Sequence, residues 1–228
     1  MIKFFESVKS RVALPESLEG WLILSSLFSC FLLAIRTIGT GTVEYYFLPW
    51  NLFLAFVPYL IMQFVTNNPG IMENKVKLIA ALLAWLLFIP NSFYIVTDLF
   101  HLSHFDAAPK WYDLLLIFSF AWNGIVFGIA SLRKVELVIL IHRNKGFSLL
   151  IVFTVMWLNS FGIYIGRFLR FNSWDVISSP VTLTSEIFDM ILHPLNNSSA
   201  WGMTLFYAFF MTFLYFTIKK LGEAFIGR

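Results

Sequence analysis

With 228 residues, of which 59% are hydrophobic, 19% aromatic and only 13% charged, this chain lacks the charge to face water on all sides, since soluble domains carry about a quarter charged residues. A mean hydropathy of +0.78 makes the lipid bilayer its partner, and the net charge of +3 is not a nucleic-acid footprint because the Lys and Arg bracket apolar runs. The single Cys excludes an internal disulfide framework and any cysteine-built metal site.

The N-terminal stretch MIKFFESVKSRVALPESLEG is amphipathic and lacks the small-residue cleavage pattern of a removable signal, so the apolar run after it is kept as the first span. A hydrocarbon core of about 30 Å needs roughly 20 apolar residues as helix. Six stretches meet that length: 19–38, 46–65, 76–100, 111–132, 147–168 and 201–218. The expected fold is all-α, a polytopic transmembrane helical bundle forming one integral membrane domain over 1–228, with a short apolar run at 135–141 left unassigned. The longest connection, 172–200, carries Ile187, Phe188 and Ile191 at helical spacing, with Thr182 or Thr184 as N-cap and Pro194 closing the segment. It reads as an interfacial helix over the mouth of the bundle.

Orientation follows from the excess of Lys and Arg in cytoplasmic loops. With both termini cytoplasmic, only Arg36, Lys110, Arg167 and Arg170 of the 16 Lys and Arg fall on the outer side. Every Asp, Asp106 included, and His101, His104 and His193 fall there too, whereas His142 is inner. The expected location is the cell membrane, with any chemistry facing outward.

The third span ends in PNSFYIVTDLFHLSH at 90–104. At 100° per residue Asn91, Tyr94, Asp98 and His101 lie within about 80° of one another and share a helical face. Ionisable residues in a span are costly unless paired or facing water, so two readings stand. In the first, Asp98 or Asp113 pairs with Arg167 or Arg170 and the charges hold helices together. In the second, Asp98 and His101 form an acid/base pair, while Asn51, Asn91, Tyr94, Asp113, Arg167, Arg170, Asn172, Trp174 and Asp175 bind a ligand. Arg167 and Arg170 would then clamp an anionic lipid or lipid-linked headgroup.

A metal alternative uses Asp98, His101 and His104 with His193, although the third ligand drifts about 120° from the first on a continuing helix. No other cofactor is implied. Pro90, with Pro49 and Pro58 in the second span, would kink helices and free carbonyls along a cavity. The small pairs Gly124/Gly128 and Gly162/Gly166 allow close helix packing, bringing Asp113 and Arg167 into one layer with Asn123 and Asn159 bonded across the same contact.

Four stretches carry a resemblance: YFLPWNLFLAFVPYL at 46–60, WLLFIPNSFYIVTDLFHL at 85–102, WYDLLL at 111–116 and GRFLRFNSWDV at 166–176. They resemble an uncharacterised family of bacterial integral membrane proteins, domain of unknown function 1361. The resemblance implies a multi-span protein of the bacterial inner membrane and carries no activity. Three function classes remain: a binding protein or enzyme acting on a lipid-linked or anionic substrate, an accessory or scaffold subunit with structural ion pairs, and a small-solute transporter.

Overall fold

The computed structural model describes residues 17–103, 107–140 and 145–226. The expectations for the amphipathic N-terminus, His104, Asp106 and His142 fall outside them. Seven α-helices of three turns or more are present among the described residues: α1 (Leu18–Thr40), α2 (Phe47–Asn67), α3 (Lys75–Tyr94), α4 (Lys110–Leu140), α5 (Lys145–Phe168), α6 (Pro180–Leu192) and α7 (Ser198–Ile226). All but α6 have the length and apolarity to cross a membrane, and the fold is an all-α polytopic bundle.

Local sequence explains where these helices begin. Ser17 caps α1 by accepting from the Gly20 N–H at 3.1 Å, and Asn74 caps α3 by accepting from the Val76 and Lys77 N–H groups. Pro49 falls in the first turn of α2, where no intrahelical donor is needed. It therefore does not kink the helix as the sequence suggested. Pro180 opens α6 in the same way. Neither threonine caps α6: Ser179 takes the cap position and Thr184 donates backward to the Pro180 and Val181 carbonyls.

α4 is the centre of the bundle. Of its span 56% is buried, against 39% or less in every other span, and α1, α2, α3 and α5 all pack on it. α7 packs on α5 at the far edge and turns Phe206, Phe210 and Phe213 outward. In lipid there is no hydrophobic gain from pressing apolar helices together, so close fit must hold them. The glycines supply that fit. A Cβ on Gly124 would lie 2.8 Å from the Ser92 carbonyl oxygen, and one on Gly162 would lie 2.8 Å from Pro90 Cγ.

Both small-residue pairs thus face the end of α3. Asn123 and Asn159 do not bond across that contact: Asn123 donates to Ser29 on α1 at 3.2 Å, and among the described residues neither side-chain polar atom of Asn159 has a hydrogen-bond partner.

Two helices outrun the stretches read from composition. α4 continues through the run at 135–140 and α7 continues past Ile218. Lys and Arg that looked like span ends are accommodated there by a buried acid. Glu136 is bonded by Arg133 and Ser148, and by Tyr215 and Lys219 of α7 at 2.6 Å each.

The other departure lies in the third span. After Tyr94 the chain tightens into a 3-10 helix over Ile95–Ser103. Thr97 donates its hydroxyl to the Tyr94 carbonyl at 2.7 Å at the junction, and Pro90 has already removed one α-helical donor below it.

Candidate functional site

The switch from α to 3-10 winding changes which residues share a face. At three residues per turn Ile95, Asp98 and His101 eclipse one another, and the shared 80° face read from the sequence splits in two. Asp98 and Ile95 turn into the bundle and are buried to 1% and 0% exposure. Asn91 and Tyr94, still on α-helix, line a cavity on the other side.

The buried face closes into a polar layer. Asp98 accepts from Asn51 Nδ2 of α2 at 2.8 Å and pairs with Arg167 of α5 at 3.6 Å. The same guanidinium nitrogen of Arg167 lies 3.1 Å from His101 Nε2. Because a guanidinium can only donate, that ring nitrogen must accept and the His101 proton sits on Nδ1. Arg167 also lies over the Phe100 ring, 5.5 Å from its centroid. These contacts bring Asn51, Asp98, His101 and Arg167 together.

Asp113 finds a different cation from the one expected. Arg36, at the end of α1, grips it with Nε at 2.7 Å and Nη2 at 3.3 Å, and reaches Glu44 at 2.6 Å. Both side chains of the Arg36–Asp113 pair are essentially inaccessible. Arg36 stacks over the Tyr45 ring at 4.4 Å, while the Tyr45 hydroxyl donates to Asp113 at 3.3 Å and approaches the His101 carbonyl at 3.5 Å. Burial, followed by the Asp113 charge, pushes the Tyr45 phenol up to about 12, so it remains a donor. Tyr45 joins the two ion pairs into one layer from α1 to α5. Asp113 therefore belongs to the wall of the site and is not open to a ligand.

On the other side of Asn51 lies a cavity of 440 Å³. Its walls come from α2 (Trp50, Leu54), α3 (Leu83, Leu86, Leu87) and α5 (Leu158, Phe161, Ile165). Residues 171–173, Val176 and two residues of α6, Leu183 and Ile187, cover one end, where Asn51, Asn91 and Tyr94 also sit. Ser173 holds this cover down by donating to the Leu87 carbonyl at 3.2 Å and accepting from Asn91 Nδ2 at 2.9 Å. Trp50, Leu83 and Leu158, which line the cavity, are all strongly exposed, so the cavity opens at the side of the bundle, between α2 and α5.

The remaining predicted residues sit around the cover. Asn172 lines the cavity, and its N–H donates to Asp175 Oδ2 at 2.6 Å. Asp175 also accepts from the Ser178 hydroxyl at 2.7 Å; these bonds hold its carboxyl below the usual range. Asp175 and Asn172 thus fold the cover, and Trp174 is exposed beside them. Arg170 is exposed and adopts φ 62°, the left-handed position closing α5 where glycine is cheapest. Among the described residues Arg170 has no hydrogen-bond or ion-pair partner.

His193 pairs with Asp189 at 2.9 Å on the exposed end of α6, and no group of three metal-ligating side chains occurs among the described residues.

Sequence reasoning missed Arg36, Tyr45, Ser173 and the Glu136 cluster. Glu136 had a signal, an acid inside the apolar run VELVIL, and Arg36 had another, an Arg near the end of an apolar span. Nothing in the sequence marked Tyr45.

The fold and this site define a multi-pass α-helical membrane protein with a side-opening cavity next to a buried polar layer. The family described as protein of unknown function (DUF1361) matches residues 50–214, and the chain belongs to that family. That region holds α2 to α5, the cover and most of α7, but not Arg36. No curated protein and no solved structure matches the chain.

Proposed function

We propose that this protein binds a lipid or lipid-linked molecule, drawn sideways from the bilayer into the cavity between α2, α3 and α5. The observation that carries this reading is one cavity with two chemistries, leucines and aromatics along its length and Asn51, Asn91 and Tyr94 at its covered end. Such apolar pockets with a few placed polar groups are how proteins take amphiphiles. At about 30 Å³ per methylene-sized unit, comparable to a water molecule in the liquid, 440 Å³ holds about one acyl chain. The exposed apolar face of α6, with Val181, Phe188 and Leu192, suits a helix resting in the interface.

The distribution of Lys and Arg supports placing the covered end at the outer leaflet of the cell membrane, with both termini cytoplasmic. The family resemblance supports a bacterial inner membrane. Binding is favoured over catalysis because Asp98 and His101 are both engaged by Arg167, and only Asn51 connects Asp98 to the cavity.

The reading is tested by filling the cavity. Leu54→Trp should remove a co-purifying or added lipid, measured by native mass spectrometry, without lowering the melting temperature. Equal lipid occupancy in both proteins would count against it. A scaffold role is favoured by a separate observation, the closure of Arg36, Asp113, Asp98 and Arg167 on one another, and it predicts no lipid dependence at Leu54.

A further inference from the structure

We infer that the cavity selects an uncharged head bearing hydroxyl groups, of the glycerol or sugar type, over a phosphate. The inference rests on the proposed amphiphile cavity and adds to it the chemistry of the head. It comes from asking which polar atoms at the covered end are already engaged. Asn51 must point Nδ2 at Asp98, because a carboxylate can only accept. Asn91 must point Nδ2 at the Phe88 carbonyl, 3.0 Å away, and at Ser173. Both amides are therefore locked with their nitrogens turned to the protein.

Their Oδ1 atoms have no partner among the described residues. The Tyr94 hydroxyl lines the same end and also has none. The cavity thus offers two carbonyl-type acceptors beside one phenol that can donate or accept.

A ligand completes that set by bringing donors. A phosphate dianion brings only acceptors and would face the two amide oxygens with their negative ends toward it. Among the described residues no Lys or Arg lines the cavity to offset that, and an uncompensated charge in an apolar site is strongly disfavoured. An ammonium head brings donors, but among the described residues no carboxylate lines the cavity to balance it; Asp98, behind Asn51, already faces Arg167, and Asp175 is engaged by Asn172 and Ser178. A hydroxyl donates to the amide oxygens and accepts from Tyr94 without either penalty.

The test uses the full chain in nanodiscs of phosphatidylcholine, whose head has no donor. Four probes share one long chain: a monoacylglycerol, an alkyl glucoside, a fatty-acid methyl ester and an alkyl phosphate. Hydroxyl-headed probes should bind at least about tenfold more tightly than the ester or the phosphate, since a hydrogen bond in a buried site is worth about that factor. The two hydroxyl-headed arms separate glycerol from sugar. Tyr94→Phe deletes a hydroxyl that bonds nothing among the described residues, so it should weaken only the hydroxyl-headed probes, with an unchanged melting temperature.

Alkyl phosphate binding as well as or better than monoacylglycerol, or Tyr94→Phe leaving all four alike, overturns the head selection. If all four bind equally and Leu54→Trp abolishes them, the cavity reading survives and the head selection fails. If none binds, both fail.

Discussion

Arg167 is the residue at which a structural and a ligand-binding role diverge most sharply. Replacing it by Met leaves the Asp98 carboxylate, 1% exposed, with the Asn51 amide as its remaining partner among the described residues. Breaking a buried pair from one side costs about 3–5 kcal/mol. The 3.6 Å separation and the 14% exposure of the Arg167 side chain place this pair at the lower end, about 3 kcal/mol. For a chain of this size each kcal/mol moves the melting temperature by about 2–4 °C, so Arg167→Met should melt about 6–12 °C lower.

Asp98→Asn removes the charge that needs company and leaves Arg167 bonded to His101, so its loss should be smaller, about 1–2 kcal/mol. The double variant should melt above Arg167→Met, because the stranded carboxylate is gone; the coupling should be at least about 1 kcal/mol. The assay is thermal unfolding of the three variants in one detergent, with lipid binding measured on the same samples. Unchanged melting in Arg167→Met together with lost binding of an anionic lipid would refute the structural assignment and make Arg167 an anion clamp.

Arg36→Met strands two acids, Asp113 and Glu44, whereas Asp113→Asn leaves Arg36 paired with Glu44; unfolding should show the first change about 4 kcal/mol worse than wild type and the second about half that. Glu136→Gln leaves Lys219 and Arg133 without their acid and should lower stability by about 2 kcal/mol after discounting the more exposed Arg133, while the same change at the surface Glu223 should leave the melting curve in place. Arg170→Gly relieves a left-handed backbone at φ 62° and should raise stability by about 0.5–1 kcal/mol, the αL penalty less the added freedom of the unfolded chain.

Asp175, whose ordinary value of 3.8 is lowered in the fold, stabilises the cover fully above pH 3.8 and loses that contribution as pH falls through its folded value. Hydrogen exchange at 171–178 should therefore quicken there in wild type and show no such step in Asp175→Asn.

The six spans were legible because about 20 apolar residues in a row have few alternatives to crossing a bilayer. Their ends were less so. Arg133 and Lys134 read as a boundary, yet α4 continues through them because Glu136, one turn on, receives Arg133 and Gln63 of α2 receives Lys134. The candidate site was legible as a set of residue types but not as an arrangement. The 100° period holds for α-helix, and the change of winding at Ile95 rotates Asp98 and His101 away from Asn91 and Tyr94. Pro90 marked a perturbation of that helix without specifying its new pitch. The partner of Asp113 was illegible for another reason: Arg36 and Arg167 carry the same charge at the same end of the bundle, and only the packing of α1 on α4 selects between them.

The buried layer and the open cavity meet at Asn51, and their geometry gives the layer a task that ion pairing alone does not require. An asparagine amide has a donor and an acceptor of nearly equal size, and in an apolar wall either could face a ligand. Asp98 removes the choice by accepting from Nδ2 at 2.8 Å, and Arg167 keeps an opposite charge beside Asp98 where it can continue to accept. The oxygen is thereby turned away from the layer. At Asn91 the Phe88 carbonyl and Ser173 impose the same orientation from the cover side. The stretch from Pro90 to His101 therefore acts on both its faces: its 3-10 end fixes a charge within the bundle, and that charge fixes which atom of a neighbouring helix its α-helical end shares the cavity with. On the proposed function, a pair buried for stability and an acceptor turned toward the ligand are then two consequences of one change in helical pitch.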